Sequence, residues 1–195
     1  MMKFKHLALG EYQTNCFILY EQAASTCAVI DPGYEPERVM TAVRELGLTV
    51  EAVLLTHGHF DHVGAVKPIA KETGCKVYMC EEDLKLPPYY TNGPLYYTHG
   101  YADGDVLQLA GLEIRVMHTP GHTPGSVCLI VEDTIFTGDT LFRGSCGRTD
   151  IGGDWETLQA SLQLFKTLFP SYWIQPGHGD MTALIDELNY NPYLR

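Results

Sequence analysis

The sequence predicts a single α/β domain in which two β-sheets pack together and helices cover their outer faces. Short apolar segments that predict strands alternate with amphipathic segments that predict helices, and this arrangement fits packed sheets with helices outside. The 195 residues suit one domain, residues 1–195, with a substantial core. The chain contains no internal repeat, low-complexity tract or linker.

The first half of the chain opens with three strands, predicted at residues 4–9, 15–21 and 26–31. The turn Asp31-Pro32-Gly33 follows, and then a helix over 36–46 that has Pro36 at its start and ends before Gly47. A strand at 52–56, a helix near 62–73 and a strand at 76–79 come next. Pro68 inside the second helix predicts that this helix begins late or is kinked.

The segment 84–101 has no clear period and holds five of the twelve tyrosines, Tyr89, Tyr90, Tyr96, Tyr97 and Tyr101. A loop of this length is usually functional or disordered, and this one is too aromatic for disorder. It could form a wall over the functional site, or an aromatic patch that packs on the domain or on a partner subunit. We favour the packed patch.

In the second half, four strands are predicted near residues 105–109, 112–117, 126–131 and 134–137. An amphipathic helix then follows the N-cap candidate Asp154, with an apolar face of Trp155, Leu158, Leu162, Phe165 and Leu168. A strand at 172–175 and a short helix near 181–188 complete the predicted elements.

The composition argues against several classes of function. The formal net charge is −11, with 24 acidic and 13 basic residues, and no run of Lys or Arg provides the positive surface that nucleic acids need. No apolar run approaches the roughly 20 residues of a membrane span, and the N-terminal residues lack the apolar stretch of a signal peptide. We therefore expect a cytoplasmic protein, a monomer or homodimer, that binds neither nucleic acid nor membrane.

The most informative stretch is His57-Gly58-His59-Phe60-Asp61-His62, which places four possible metal ligands within six residues. It follows the apolar run at residues 53–55, a predicted buried strand, so the ligands lie on a loop that leaves a strand and enters a helix. Buried imidazole and carboxylate groups need partners. A cluster this dense therefore indicates a metal site, and such a loop can divide its ligands between two ions.

Three further candidates lie in Gly- and Pro-rich loops that also follow predicted strands. They are His122 in T-P-G-H-T-P-G-S, Asp139 in T-G-D-T and His178 in P-G-H-G. The ends of strands at one edge of a sheet are where a scaffold presents functional side chains. The complete set of five histidines and two aspartates is large enough for two metal ions with positions left open for water.

The motifs T-H-G-H-F-D-H, T-P-G-H-T-P-G-S, T-G-D-T-L-F and P-G-H-G occur in the order found in the metallo-β-lactamase superfamily. The chain resembles its hydroxyacylglutathione hydrolases (glyoxalase II) and their short bacterial relatives, from about residue 10 to Leu194. This resemblance implies a four-layered αββα sandwich. It also implies that one ion is bound by His57, His59 and His122, a second by Asp61, His62 and His178, and that Asp139 bridges them.

Ligands of imidazole and carboxylate without thiolate suit Zn²⁺, Fe or Mn²⁺, and we expect two divalent ions, with Zn²⁺ the first candidate. Two ions roughly 3.5–4 Å apart can share a water and lower its pKa from about 15.7 toward about 7. The resemblance thus implies attack by a metal-bridging hydroxide, with Asp61 and Asp139 as catalytic ligands. A thiolate, with a conjugate-acid pKa of about 8.5, can leave unprotonated, whereas an amide nitrogen needs an acid. We therefore expect hydrolysis of a small thioester of the S-2-hydroxyacylglutathione (S-lactoylglutathione) type.

Arg143 and Arg148 follow the implied bridging ligand Asp139 in the chain. In an acidic protein, arginines at this point are placed to bind an anionic substrate. Arg148 resembles by position a lysine that helps to bind glutathione in the full-length hydrolases, and Asp150 stands where those enzymes have a tyrosine. We also expect no C-terminal helical glutathione-recognition domain, and therefore weak selectivity for the thiol part of the substrate.

Two alternatives to thioester hydrolysis remain open. Residues 144–150 also resemble persulfide dioxygenases, which bind one iron through ligands matching His57, His59 and His122-Asp139 and oxidise glutathione persulfide with O₂. A complete second ligand set favours hydrolysis. A lactonase or ester hydrolase is the nearer alternative, and a purely structural metal domain is disfavoured because structural zinc sites are closed.

Overall fold

The computed structural model describes residues 1–195 and contains fourteen strands and six α-helices. The strands are β1 (Met2–Leu9), β2 (Thr14–Glu21), β3 (Thr26–Ile30), β4 (Thr49–Leu54), β5 (Lys76–Met79), β6 (His99–Gly100), β7 (Val106–Leu109), β8 (Leu112–His118), β9 (Val127–Val131), β10 (Thr134–Gly138), β11 (Leu141–Phe142), β12 (Ser145–Cys146), β13 (Trp173–Pro176) and β14 (Thr182–Ala183). The helices are α1 (Pro36–Glu45), α2 (Phe60–Val63), α3 (Val66–Thr73), α4 (Pro88–Thr91), α5 (Trp155–Leu164) and α6 (Leu184–Tyr190). No helix combines the length and the apolar character that crossing a bilayer requires.

Two six-stranded sheets build the domain. The first has the order β1-β2-β3-β4-β5-β6 and the second the order β14-β13-β10-β9-β8-β7, while β11 and β12 form a separate hairpin. In the second sheet, β8 and β10 are both antiparallel to β9, and β13 is parallel to β10. Strands β8, β10 and β13 therefore run in one direction, and their carboxyl ends reach the same edge of the sheet.

Alternation along the strands sorts the buried side chains into three layers. Phe17 of β2 packs against Phe136 of β10, so this side of the first sheet faces the second sheet. The next residue, Ile18, faces the other way and packs in a cluster with α1 and α3. On the far side of the second sheet, Ile135 lies in a cluster with α5 and α6. The order helix, sheet, sheet, helix confirms the predicted αββα sandwich.

Most predicted elements are present within a few residues of their predicted limits. Pro68 acts as expected, because α3 is separate from α2 and Pro68 lies in its first turn, where its missing N–H is not needed. Asp154 caps α5 by accepting a hydrogen bond from Thr157 N at 2.8 Å. The helix predicted near 181–188 is wrong at its start, because Thr182 pairs with Ile174 to form β14.

The tyrosine-rich segment contains α4 and β6, and its tyrosines lie in different environments. Tyr101 is buried and its hydroxyl donates to the carbonyl oxygen of Leu55. Tyr97 packs against the cluster beneath α1 and α3. Tyr89 and Tyr90 lie in α4, where Tyr89 is exposed. Packing therefore accounts for Tyr97 and Tyr101, as favoured from the sequence, but not for the α4 pair.

Candidate metal centre

Four loops at one edge of the sandwich carry the seven candidate ligands. The loop after β4 carries His57, His59, Asp61 and His62, and the loops after β8, β10 and β13 carry His122, Asp139 and His178. A hydrogen bond of 2.8 Å from Val127 N to Thr56 O joins the two sheets at this edge. The structure thus brings together every ligand that the sequence predicted, with Asp139 and His178 partly exposed and the other five buried.

His57, His59 and His122 form the first group. The Nε2 atom of His122 lies 2.9 Å from Nδ1 of His59 and 3.3 Å from Nε2 of His57. The outward nitrogens of His59 and His122 contact backbone carbonyl oxygens of Ile151, at 3.0 Å, and Arg148, at 2.7 Å. Because a carbonyl only accepts, these outward nitrogens carry the protons. The inward nitrogens therefore present lone pairs to one another, an arrangement that suits a shared cation.

Asp61, His62 and His178 form the second group. The Nε2 atom of His178 lies 3.2 Å from Oδ2 of Asp61 and 3.3 Å from Nε2 of His62, which is itself 3.6 Å from that carboxylate oxygen. The outward Nδ1 of His62 donates to Asp31 Oδ2 at 3.0 Å, and that of His178 donates to Tyr12 O at 3.1 Å. This group therefore also turns inward the ring nitrogens that are not engaged by an outer partner and that could bind a cation.

Asp139 lies between the two groups. Its Oδ1 is 3.5 Å from Nε2 of His62, and its Oδ2 is 3.6 Å from Nε2 of both His122 and His178. The Oδ1 atom is buried and has no hydrogen-bond partner, which is costly for a carboxylate unless a cation compensates it. This orphaned oxygen and the converging lone pairs fit two divalent ions with a shared carboxylate.

Two glycines make room for Asp139. A Cβ atom on Gly177 would lie 2.2 Å from Oδ1 of Asp139, and one on Gly147 would lie 1.9 Å from its backbone oxygen. Both distances are far shorter than a non-bonded contact. Any larger residue at either position would displace the carboxylate from its place between the two groups. Gly177, the first glycine of the P-G-H-G motif, is therefore required for steric reasons that the sequence alone did not reveal.

Asp31 is a buried residue that the sequence indicated only as part of a turn. Its Oδ1 accepts a hydrogen bond from Thr56 N at 2.8 Å, and its Oδ2 accepts from the Thr56 hydroxyl at 2.5 Å and from His62. The same hydroxyl lies 3.1 Å from Nδ1 of His57. Although Asp31, His57 and His62 are close enough to one another to share an ion, the oxygens of Asp31 are already engaged. We infer that it orients the histidines rather than binding an ion.

Burial sets the protonation of the first group. It lowers the pKa of His57 well below the ordinary value, lowers that of His59 to about 4 and lowers that of His122, and neighbouring imidazoles act in the same direction. Neutral imidazole is the form that binds metal. Burial also opposes a charge on His62, but the surrounding carboxylates, Asp139 foremost, raise its pKa to about 9. Carboxylates that attract a proton here attract a divalent cation in its place.

The two arginines predicted to bind substrate lie at the surface. The guanidinium of Arg148 pairs with Asp150, and that of Arg143 lies 3.3 Å from Asp180. Neither guanidinium donates a hydrogen bond to a candidate ligand, although the backbone carbonyl of Arg148 supports His122. Their role toward substrate therefore remains a prediction.

Tyr90 borders the first group of ligands, whereas His118 lies farther out. The ring centroid of Tyr90 lies 6.1 Å from that of His59, and a Cβ on Gly152 would lie 3.5 Å from the Tyr90 ring. His118, which the sequence left as either a supporting or an ordinary histidine, contacts Pro124 O at 2.9 Å. It therefore touches the loop of a candidate ligand, not the ligand itself.

Comparisons with known proteins agree with this geometry. The sequence model of the metallo-beta-lactamase superfamily matches residues 9–178, a range that includes all seven candidate ligands. The chain belongs to the metallo-beta-lactamase superfamily. The resemblance seen in the motifs is thereby confirmed, and membership makes the protein a metal-binding member of a superfamily of metallo-hydrolases.

Similar proteins share nearly the whole superfamily domain. The hydroxyacylglutathione hydrolase GloC of Haemophilus influenzae is 34% identical, over 99% of this chain and 98% of that protein. The structure of TTHA1623 in a di-iron-bound form has a TM-score of 0.85 and 36% identity, over 97% of this chain and 100% of that one. The structure of ETHE1 from Myxococcus xanthus has a TM-score of 0.85 and 31% identity, over 97% and 83%.

Proposed function

We propose that the protein hydrolyses small, anionic thioesters of the S-2-hydroxyacylglutathione type with two divalent metal ions, Zn²⁺ being the first candidate. The observation that carries the proposal is the convergence of two three-ligand groups on Asp139. The similarity to GloC, a hydroxyacylglutathione hydrolase, supports the class of substrate. The similarity to a structure in a di-iron-bound form supports the number of ions.

In this proposal His57, His59 and His122 hold one ion, Asp61, His62 and His178 hold the other, and Asp139 is common to both. Two ions bound there would activate water and polarise the carbonyl under attack. The protein holds the ligands ready by hydrogen bonds to their outer atoms, so the loops need not rearrange during the reaction. A departing thiolate needs no proton, which suits a centre whose two carboxylates are both used as ligands.

The rim of the centre supplies the candidates for substrate binding. We assign Arg148 and Arg143 to the anionic part of the substrate and Tyr90, beside His59, to apolar contact with it. Because the arginines carry acidic partners, this assignment predicts that charge recognition is weak in the native protein.

A persulfide dioxygenase is the second candidate. The resemblance of residues 144–150 to persulfide dioxygenases favours it. One iron would need only the first group and Asp139. The second group is nevertheless complete, with its own supports from Asp31 and Tyr12. A second group whose histidines have their own hydrogen-bond partners is more readily explained by two ions than by one.

Metal analysis combined with an anaerobic assay tests the proposal. Protein loaded with Zn²⁺ is given S-lactoylglutathione without O₂, with a lactone and a neutral ester in parallel. We expect about two ions per chain and thioester turnover that does not need O₂. One iron per chain, O₂-dependent consumption of glutathione persulfide and no thioester turnover would overturn the proposal. Faster turnover of the lactone than of the thioester would favour the lactonase instead.

A further inference from the structure

Asp83 is a buried carboxylate outside every metal motif of the sequence. It lies in the 3-10 helix Glu81–Lys85, which follows β5, and its relative exposure is 0%. Burial raises its pKa to about 6, against three hydrogen bonds that lower it. No lysine or arginine pairs with it. A carboxylate buried in this way needs donors, and its donors come from the metal loops.

The hydrogen bonds of Asp83 join two of the loops that carry ligands. Its Oδ2 accepts from Gly58 N at 2.7 Å, and Gly58 lies between His57 and His59. The same oxygen accepts from the Thr123 hydroxyl at 3.1 Å, and Oδ1 accepts from Gly125 N at 2.6 Å. Thr123 and Gly125 belong to the loop of His122. Asp83 therefore ties together the segments that hold all three histidines of the first group.

The close approach of these loops depends on glycine. A Cβ on Gly125 would lie 2.8 Å from the carboxyl carbon and the backbone nitrogen of Asp83. A Cβ on Gly58 would lie 3.3 Å from the Cβ of Asp83 and 2.9 Å from Leu95. Neither glycine has a positive φ angle, so close packing, not backbone conformation, explains the absence of a side chain at these positions.

The second group has a different set of supports. His62 donates to Asp31, His178 donates to Tyr12 O, and the Thr14 hydroxyl donates to Asp61 at 3.1 Å. None of these contacts involves Asp83 or its helix. The supports of the two groups meet at Asp139, in the loop after β4 and at Asp31, which accepts from His62 and from the Thr56 hydroxyl beside His57, but Asp83 contacts only the loops of the first group.

We propose that Asp83 is a positioning residue for the first metal ion alone. By fixing the distance between the His57–His59 segment and His122, it sets the affinity of that ion and leaves the second ion unaffected. The proposal rests on the metal centre of the proposed function but not on the identity of the substrate. In the variant Asp83→Asn only one oxygen remains as an acceptor, and the NH₂ group faces a donor. The remaining oxygen keeps at most two of the three hydrogen bonds, so the link between the two loops is weakened.

Zinc binding in two complementary backgrounds tests this assignment. His178→Ala leaves the first group as the intact site, and His122→Ala leaves the second. In each background we compare Asp83→Asn with Glu82→Gln, an exposed neighbouring acid whose carboxylate pairs with Lys85. Zn²⁺ affinity is measured by competition with a chelator. We expect Asp83→Asn to weaken zinc binding by about 10- to 100-fold in the His178→Ala background, and to leave it unchanged in the His122→Ala background.

Equal weakening in both backgrounds would overturn the proposal, since Asp83 would then support the fold in general. No weakening in either would overturn it as well. If Asp83→Asn does not fold, Thr123→Val serves instead, because it removes one of the three hydrogen bonds. It must then weaken zinc binding in the His178→Ala background alone, by a smaller factor. Wild-type protein that binds fewer than two Zn²⁺ would overturn both this inference and the proposed metal centre. If Asp83→Asn weakens zinc binding in the His178→Ala background alone but the wild-type protein hydrolyses no thioester, only the proposed function is overturned.

Discussion

The guanidinium of Arg148 donates two hydrogen bonds to the carboxylate of Asp150, from Nε to Oδ1 at 2.6 Å and from Nη2 to Oδ2 at 2.5 Å. Both side chains are about two-thirds exposed, at 65% and 66%. The backbone oxygen of the same arginine contacts His122 at 2.7 Å. The positive charge of Arg148 is therefore compensated by its neighbour Asp150 instead of being free for an anion.

This pairing predicts opposite effects of two substitutions. Asp150→Asn should lower KM for anionic thioesters by roughly two- to fivefold, the size expected for an exposed ion pair, because it frees the guanidinium. Arg148→Ala should raise KM for the same substrates. Neutral thioesters should respond to neither change. Steady-state kinetics with a matched pair of anionic and neutral thioesters measures the difference.

Arg115→Ala is the control for this experiment, because Arg115 is an exposed arginine paired with Glu113 on β8. It should leave both KM values unchanged. If the Arg148 and Asp150 variants impair both substrates equally and lower the melting temperature, the pair shapes its loop and has no direct role in substrate binding.

His122→Ala should reduce the metal content to about one ion per chain, because it removes a ligand from the first group only. Turnover should fall on the order of 100-fold or more, since loss of an outer hydrogen-bond partner alone typically costs 10- to 100-fold. Elemental analysis and thioester assays provide the measurements. The control His99→Ala changes an exposed histidine outside the centre and should alter neither the metal content nor the turnover. Full activity and two bound ions in His122→Ala would disprove the ligand assignment.

Phe136→Ala should lower the free energy of unfolding by about 3–5 kcal/mol. Phe136 is 1% exposed in the layer between the sheets, where it packs edge to face against Phe4 and Phe17. Urea unfolding of the metal-loaded protein measures the loss. The matched control Phe169→Ala changes a phenylalanine that is 77% exposed, and should stay within about 0.5 kcal/mol of the wild type. Comparable losses in the two variants would refute the packing argument.

The convergence of the candidate ligands was predictable because their signal is local. Each lies within a few residues of a strand end, and the sheet topology then brings the strand ends together. His57 and His122 are 65 residues apart in the chain, yet each could be recognised from its own motif. The four-layered fold followed from the same motifs by resemblance, whereas periodicity alone predicted only packed sheets with outer helices.

The supporting residues were not predictable, because their signal is not local. Thr14 meets Asp61 across 47 residues, and Asp83 meets Gly125 across 42. Neither residue lies in a motif, and a lone threonine or aspartate usually marks a turn or a cap. The short strand β14 was missed for a similar reason. Its two residues form a strand only because β13 pairs with them.

Tyr90→Ala should raise KM for thioesters by roughly three- to tenfold with little change in kcat, because it removes an apolar wall and no group that takes part in the reaction. The ring centroid of Tyr90 lies 6.1 Å from that of His59 and 4.2 Å from that of the exposed Tyr89, whose ring is tilted by 36° to it. Tyr90→Phe keeps the ring and should behave like the wild type. Tyr190→Ala, at a position that is 72% exposed on α6, should have no effect on either constant. A fall in kcat for Tyr90→Phe would instead assign the hydroxyl, and not the ring, to the reaction.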